Sequence, residues 1–270
     1  MERPAWAPRS IDISLPSVSR MYDFYLGGSH NFEVDRVAAR KALEFMPGLP
    51  KIMQANRAFM RRVVRYAVEE GITQFLDIGS GIPTFGNVHE VAQQAHPGAH
   101  VVYVDHDPVA VAHSQAVLEG NDDADVVAAD LRKPDGILAS PQVERLIDRN
   151  RPVALLLVAI LHFVEDTDDP YSAVAELRDA LAPGSLLVVT HASYDGVPLP
   201  QERTEGVVDV YKNIRNPLIM RSRDEIARFF EGCDMVEPGL VPMPKWRPDT
   251  ASEDEDPYSF SGFAGVGRSA

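Results

Sequence analysis

One cysteine, Cys233, stands in 270 residues. A single thiol excludes an internal disulfide and a metal site built from cysteines, and nothing calls for an oxidising compartment. The histidines are scattered without the close spacing of metal ligands, so no metal is expected. Long apolar runs are missing as well. The longest, VALLLVAIL at 153–161, is too short to span a bilayer. The opening MERPAWAPRS lacks the apolar core of a secretion signal. A cytoplasmic protein with no membrane partner is expected. Basic charge is scarce beyond the first quarter of the chain. Residues 1–71 carry 11 Lys and Arg against 8 Asp and Glu, a net of +3, whereas the other 199 residues carry 15 against 32, a net of −17. Such a body repels a phosphate backbone, which disfavours a nucleic-acid partner unless it docks on the N-terminal part.

What is present is ordinary globular composition, 45% apolar and 24% charged, at a length that suits one large domain or a domain with an extension. Pro4, Pro8 and Pro16 mark an extended arm over residues 1–16. SVSRMYDFYLGG, DRVAARKALEFMP and KIMQANRAFMRRVVRYAVEEG then read as helices, the last with an apolar stripe at Ile52, Ala55, Phe59, Val63 and Ala67. From residue 72 strands alternate with helices: ITQFLDIG, HVVYVDHD, ADVVAAD, RPVALLLVAIL and SLLVVTHAS are the strands. Five such repeats predict a mostly parallel sheet with helices on both faces. Residues 194–221 interrupt the pattern, SRDEIARFF opens with a Ser222–Glu225 capping box, and strands are expected at 235–243 and 258–268, with SEDED at 252–256 as an exposed turn. The expected division is an N-terminal arm and helical cap at 1–71 and an α/β domain at 72–270.

Ligands of such sheets sit at the carboxyl ends of the strands. The first strand–helix turn reads L-D-I-G-S-G-I-P-T, with Gly79 and Gly81 free to take positive φ and let a ligand approach the backbone. A dinucleotide fingerprint would need glycine or alanine at position 84, which is Thr84, and Asp77 would face an incoming pyrophosphate with the wrong charge. S-adenosylmethionine, with an ammonium, a sulfonium and no phosphate, suits Asp77 better. The second strand ends in Asp105, placed for ribose hydroxyls, and the third in Asp130, placed for an adenine amino group. Asp107, just before Pro108, reads as a helix N-cap.

With these motifs the body of the chain, 72–195, resembles the class I S-adenosylmethionine-dependent methyltransferases: LDIGSG, VVYVDHDP and VVAADL are similar to their first three motifs. RMYDFYLGGSHNFEVDR and DIGSGIPT resemble more narrowly an actinobacterial methyltransferase family of unassigned substrate. The resemblance implies a Rossmann-like fold, a seven-stranded sheet with an antiparallel last strand, and an N-terminal helical part over the cofactor cleft. It implies that Asp77 and Gly79 hold the methionine amino group, that Gly81 lets the backbone pass close to the ligand, and that Ser80 between them belongs to the cofactor site. Asp105 would bind the ribose with His106 beside the adenine, Asp130 and the Leu131 amide the adenine edge, and Ala159 would flank the methionine part. Pro83 departs from the glycine common in the class, removing an amide and stiffening the turn. AILHFV lacks the N-P-P-Y-type sequence of enzymes that methylate DNA bases or glutamine.

Other candidates follow from position. Arg57, on the long helix, could pair with the methionine carboxylate. His162 and His191 follow the fourth and fifth strands and are candidate bases, although methyl transfer to an aligned nucleophile needs none. Tyr22, Tyr25 and His30 fall near the cleft by the resemblance. The 194–221 segment, with Tyr194, Tyr211 and Arg215, could cover an acceptor pocket. The expected reaction is transfer of a methyl group from S-adenosylmethionine to oxygen, nitrogen or carbon of a small-molecule acceptor, giving S-adenosylhomocysteine. A non-catalytic S-adenosylmethionine sensor or interaction protein is the alternative, and an NAD-linked oxidoreductase is disfavoured by Asp77 and Thr84.

Overall fold

Three helices precede the first strand: α1 (Val18–Tyr25), α2 (Glu33–Phe45) and α3 (Leu49–Glu69). The structure, a computed structural model, describes residues 13–195, 200–212, 214, 217–249 and 262–270. The apolar stripe of α3 is the reason it packs inward: Ile52, Phe59, Val63 and Ala67 are buried, while Ala55 is half-buried.

The alternating part follows as β1 (Gln74–Ile78), α4 (Val88–Ala95), β2 (His100–Asp105), α5 (Pro108–Val117), β3 (Ala124–Ala128), α6 (Pro134–Leu138), α7 (Pro141–Leu146), β4 (Ala154–Val158), α8 (Pro170–Asp179) and β5 (Leu186–Ala192). The chain continues as α9 (Gln201–Lys212), α10 (Arg223–Ala227), β6 (Cys233–Met235), β7 (Val241–Pro242) and β8 (Gly262–Ser269). Helix starts are set by local chemistry. Asn87 and Glu90 form a capping box on α4, Asp107 accepts the Val109 amide at 2.8 Å ahead of Pro108 on α5, and Ser222 with Glu225 caps α10.

The strands lie in the order β3-β2-β1-β4-β5-β8-β6. Neighbours among β1–β5 pair in parallel, and β8 runs antiparallel to β5. This is the expected seven-stranded path with an antiparallel last strand; the two-residue β7 is an additional rung on β8. Side chains of the central strands alternate between two cores. Phe75 and Leu156 join the one that contains α1–α3, and Leu76, Leu155 and Leu157 join the other. No helix of the described residues is long and apolar enough to cross a membrane.

Three local expectations change. A single strand over 235–243 does not form: β6 stops at Met235 and β7 begins at Val241, because Pro238 has no amide to donate and the chain turns at Gly239. The strand expected at 258–268 is β8 from Gly262, and residues 258–261, like the 252–256 turn and most of the arm, lie outside the described residues. The 194–221 segment contains α9, which packs on α2 at Gly206. A side chain there would run into the Phe45 ring at 2.2 Å, so the glycine that weakens the helical signal in sequence is required by packing.

Candidate active site

β1 pairs with β2 on one side and β4 on the other, so the chain reverses direction across the sheet at this point and leaves a crevice at the strand ends. A cavity of about 210 Å³ occupies it. It is lined by Asp77, Gly79, Ser80 and Gly81 after β1, Asp105 and His106 after β2, Ala159 after β4, and Arg57 from α3. Residues 15–20, leading into α1, form another wall.

The glycine turn is held by its own backbone. The Gly79 and Ser80 amides donate to the Val104 carbonyl at 2.7 and 3.2 Å, with φ of +72° at Gly79 and +68° at Gly81. A side chain at position 79 would strike Ile160 at 2.5 Å, whereas one at 81 would meet nothing within 4 Å and would fill open cleft. The Asp105 carboxylate accepts the Gly81 amide at 2.7 Å and the Asp107 amide at 2.8 Å. Burial raises its pKa, and these amides and His106 oppose that rise.

Asp77 is buried in the cleft wall. Loss of water pushes its pKa up to about 7; Arg57 acts to lower it and Asp105 to raise it further. Arg57 Nη2 donates to Asn87 Oδ1 at 3.2 Å, but its Nε is buried without a partner, as is Ser80 Oγ. A desolvated carboxylate, an incompletely satisfied guanidinium and an orphaned hydroxyl in one cleft fit a zwitterion: an ammonium for Asp77 and a carboxylate for Arg57 and Ser80. The chemistry of the lining therefore suits an adenosyl amino acid.

Asp130 and Leu131 do not line this cavity. They border a smaller recess of about 30 Å³, which shares Gly79, Asp105, His106, Ile160 and Phe163 with the cleft. Asp130 is gripped by Arg132, whose Nη2 and Nε both donate to it, at 2.6 Å for Nη2, and the pairing holds its pKa low. Leu131 packs into the second core.

His162 and His191 line a separate cavity of about 70 Å³ beyond Tyr22, Asn56 and Ala159. His191 Nδ1 donates to the Ala192 carbonyl at 2.7 Å, which leaves Nε2 to accept from Arg221 Nη1 at 2.8 Å. Burial pushes its pKa down to about 3. His162 Nδ1 accepts the Ala192 amide at 3.3 Å, so its proton sits on Nε2, and burial holds its pKa well below the usual value. Neither ring presents a ready lone pair, which speaks against both as general bases. Tyr22 and Tyr25 line this cavity too, with Tyr211 from α9, whereas Tyr194 is exposed and bonds Glu225, and Arg215 lies outside the described residues. His30 instead lies against His113, the ring centroids 3.9 Å apart and the planes tilted by 52°.

Three features escaped the sequence reading. Ala159 has φ +59° and donates to Thr190 Oγ1 at 2.8 Å; Thr190 donates to Asn56 Oδ1, and Asn56 Nδ2 donates to the Tyr22 hydroxyl. This chain ties α1 and α3 to the ends of β4 and β5. The signal for it was an asparagine in mid-helix, a poor helix former with no local role. α1 is also clamped in place: Arg20 pairs with Asp35 of α2 at 2.8 Å, and Ser17, just before α1, bonds Asp107 at the start of α5. Asp23 accepts from the His30 amide and Asn31, and its carboxylate fills the space that any side chain at Gly28 would need. Among the described residues no three His, Cys, Asp or Glu are grouped to hold a metal ion.

The sequence profile of the S-adenosyl methyltransferase family matches residues 4–270. The chain belongs to this family. A crystal structure from Thermobifida fusca YX, described as that of a candidate methyltransferase, is 40% identical over 98% of this chain and 99% of that one, with a TM-score of 0.90. A DUF574 family protein from Streptomyces avermitilis MA-4680 is 37% identical over 96% and 99% of the two chains, also at 0.90. At 15% identity and a TM-score of 0.50, the 1,6-didemethyltoxoflavin N1-methyltransferase of Burkholderia thailandensis shares the fold over 87% of this chain and 89% of that one. No curated protein matches the chain. As a member of the S-adenosyl methyltransferases, the protein is an S-adenosylmethionine-dependent methyltransferase, and S-adenosylmethionine is its cofactor.

Proposed function

We propose that this methyltransferase acts on a small-molecule acceptor seated in the second cavity, between α1, α3, α9 and the ends of β4 and β5. The observation that carries this reading is the junction of the two cavities: Val18, Tyr22, Asn56, Ala159 and Phe163 line both. An acceptor in one can meet a methyl group presented from the other without either ligand leaving its walls.

When bound, S-adenosylmethionine would supply an electrophilic methyl carbon: the acceptor's lone pair would form the new bond as the carbon–sulfur pair returned to sulfur, giving S-adenosylhomocysteine, and a proton carried by the acceptor atom would leave to water. The chain's residues position the two partners. Asp77, Gly79, Ser80 and Arg57 hold the amino-acid end, and Gly81 lets the backbone lie against it. Asp105 and His106 serve the ribose and adenine side, and the recess at Asp130 and Leu131 receives the adenine edge. Ala159 flanks the methionine chain, held by its hydrogen bond to Thr190. Orientation carries the rate, since a properly aligned acceptor is worth several orders of magnitude. His162, with its proton on Nε2, orients the acceptor; His191 holds Arg221. The Burkholderia enzyme, described with 1,6-didemethyltoxoflavin and S-adenosylhomocysteine bound, supports a small-molecule reading by analogy of fold.

The test is calorimetric titration with S-adenosylmethionine, S-adenosylhomocysteine and NAD, after removal of any copurified ligand. Binding of both adenosyl ligands and not NAD is expected. A subsequent small-molecule screen should convert S-adenosylmethionine to S-adenosylhomocysteine only in the presence of acceptor. Binding without turnover across the screen would favour a sensor.

A further inference from the structure

The second cavity is unlike the cofactor cleft in its chemistry. Among the described residues no Lys, Arg, Asp or Glu lines it. Its ionisable side chains are Tyr22, Tyr25, Tyr211, His162 and His191, and burial pushes each away from its charged form: the tyrosines upward, Tyr211 to about 12, and the histidines downward. Met46, Met53, Met220 and Met243 supply much of the remaining wall, unbranched side chains that adapt to irregular shapes. Phe163 and Tyr211 lie stacked at 5.9 Å and offer a flat face.

One polar anchor is unspent. The Tyr25 and Tyr211 hydroxyls bond each other at 3.2 Å. Whichever accepts keeps its own O–H to offer a ligand.

We infer that the acceptor is an uncharged, predominantly apolar molecule, anchored by one or two neutral hydrogen bonds, at the Tyr25–Tyr211 pair and at His162. A carboxylate, phosphate or ammonium carried into this cavity would lose its water and meet no charged side chain among the described residues that line it. The reading rests on the proposed acceptor site and narrows it to a chemical class.

The experiment is calorimetry on the full chain saturated with S-adenosylhomocysteine, using phenol and 2-naphthol as neutral probes and benzoate and 2-naphthoate as anionic ones. The neutral member of at least one pair should bind roughly tenfold or more tighter than its anion. Met53→Lys places an ammonium in the same wall and should reverse that order while S-adenosylhomocysteine still binds; Met220→Lys is the second variant should the first fail to fold. Equal or tighter binding of the anions by the wild type, or no binding of any probe, overturns the inference, as does an order that neither lysine changes. Failure of S-adenosylhomocysteine itself to bind would instead remove the cofactor assignment beneath it.

Discussion

The carboxylate of Asp105 accepts the amide of Gly81 across the crevice, from the end of β2 to the turn after β1, at 2.7 Å. The residue expected at the ribose thus also holds the glycine turn in shape, and its other oxygen accepts the Asp107 amide at 2.8 Å. Asp105→Ala leaves two amides without partners and should cost about 1–3 kcal/mol of stability. It should also weaken S-adenosylhomocysteine binding by roughly ten- to a hundredfold, the worth of one or two charge-assisted hydrogen bonds. Asp105→Asn keeps one acceptor oxygen and should fall between. Thermal unfolding and calorimetry read the two effects separately; unchanged affinity in the alanine variant would mean that the cofactor lies elsewhere.

Asp77 predicts a pH dependence of binding. Its pKa of about 7 in the folded protein, against an ordinary 3.8, means that near neutrality much of the population holds it protonated. An ammonium beside it favours the ionised form, so binding of S-adenosylhomocysteine should expel a proton and tighten as pH rises through 7. Calorimetry in two buffers of different ionisation heat measures that proton. Asp77→Asn should abolish the release; if the variant releases the same proton, another group titrates.

Arg57 and Asp77 are assigned to the two charges of the amino-acid end, which 5′-methylthioadenosine lacks. Arg57→Met and Asp77→Asn should each lower affinity for S-adenosylhomocysteine by roughly ten- to a hundredfold. Affinity for 5′-methylthioadenosine should stay within about threefold, a change of under 1 kcal/mol. Equal losses for both ligands would show a collapsed cleft rather than lost charge recognition.

What the sequence made legible follows physical range. The strand-end aspartates and the glycine turn are local patterns, and Arg57, Asp77, Gly79, Ser80, Gly81, Asp105, His106 and Ala159 converge on one cleft. The β1–β5 repeats and the Ser222–Glu225 capping box are equally local and formed as expected. What stayed hidden depends on partners distant in the chain. Nothing near His191 announces Arg221, thirty positions on. The Asn56–Thr190 bond spans 134 positions and exists only because α3 lies across the ends of β4 and β5.

His191 carries the last expectation. Its folded pKa of about 3 lies below the ordinary 6.5, so the unfolded chain takes up the proton first as pH falls. The stabilisation is fully present above about pH 6.5 and is lost progressively toward pH 3, and His162, also depressed, acts in the same sense. Asp77 opposes them, because its raised pKa favours the folded state as pH falls from 7 toward 3.8. His89 and His113 are depressed as well, while Asp105 and Glu176 are raised like Asp77, and four histidines against three carboxyls should leave the protein less stable at pH 5.0 than at pH 7.5. His191→Gln removes one titrating group and disturbs the bond to Arg221, so it should lower stability at pH 7.5 by about 1–3 kcal/mol and make the loss between the two pH values shallower. Urea midpoints at pH 5.0 and 7.5 measure both. A variant whose midpoint falls equally at the two pH values would show that His191 serves packing alone and that its burial does not shape the acid response.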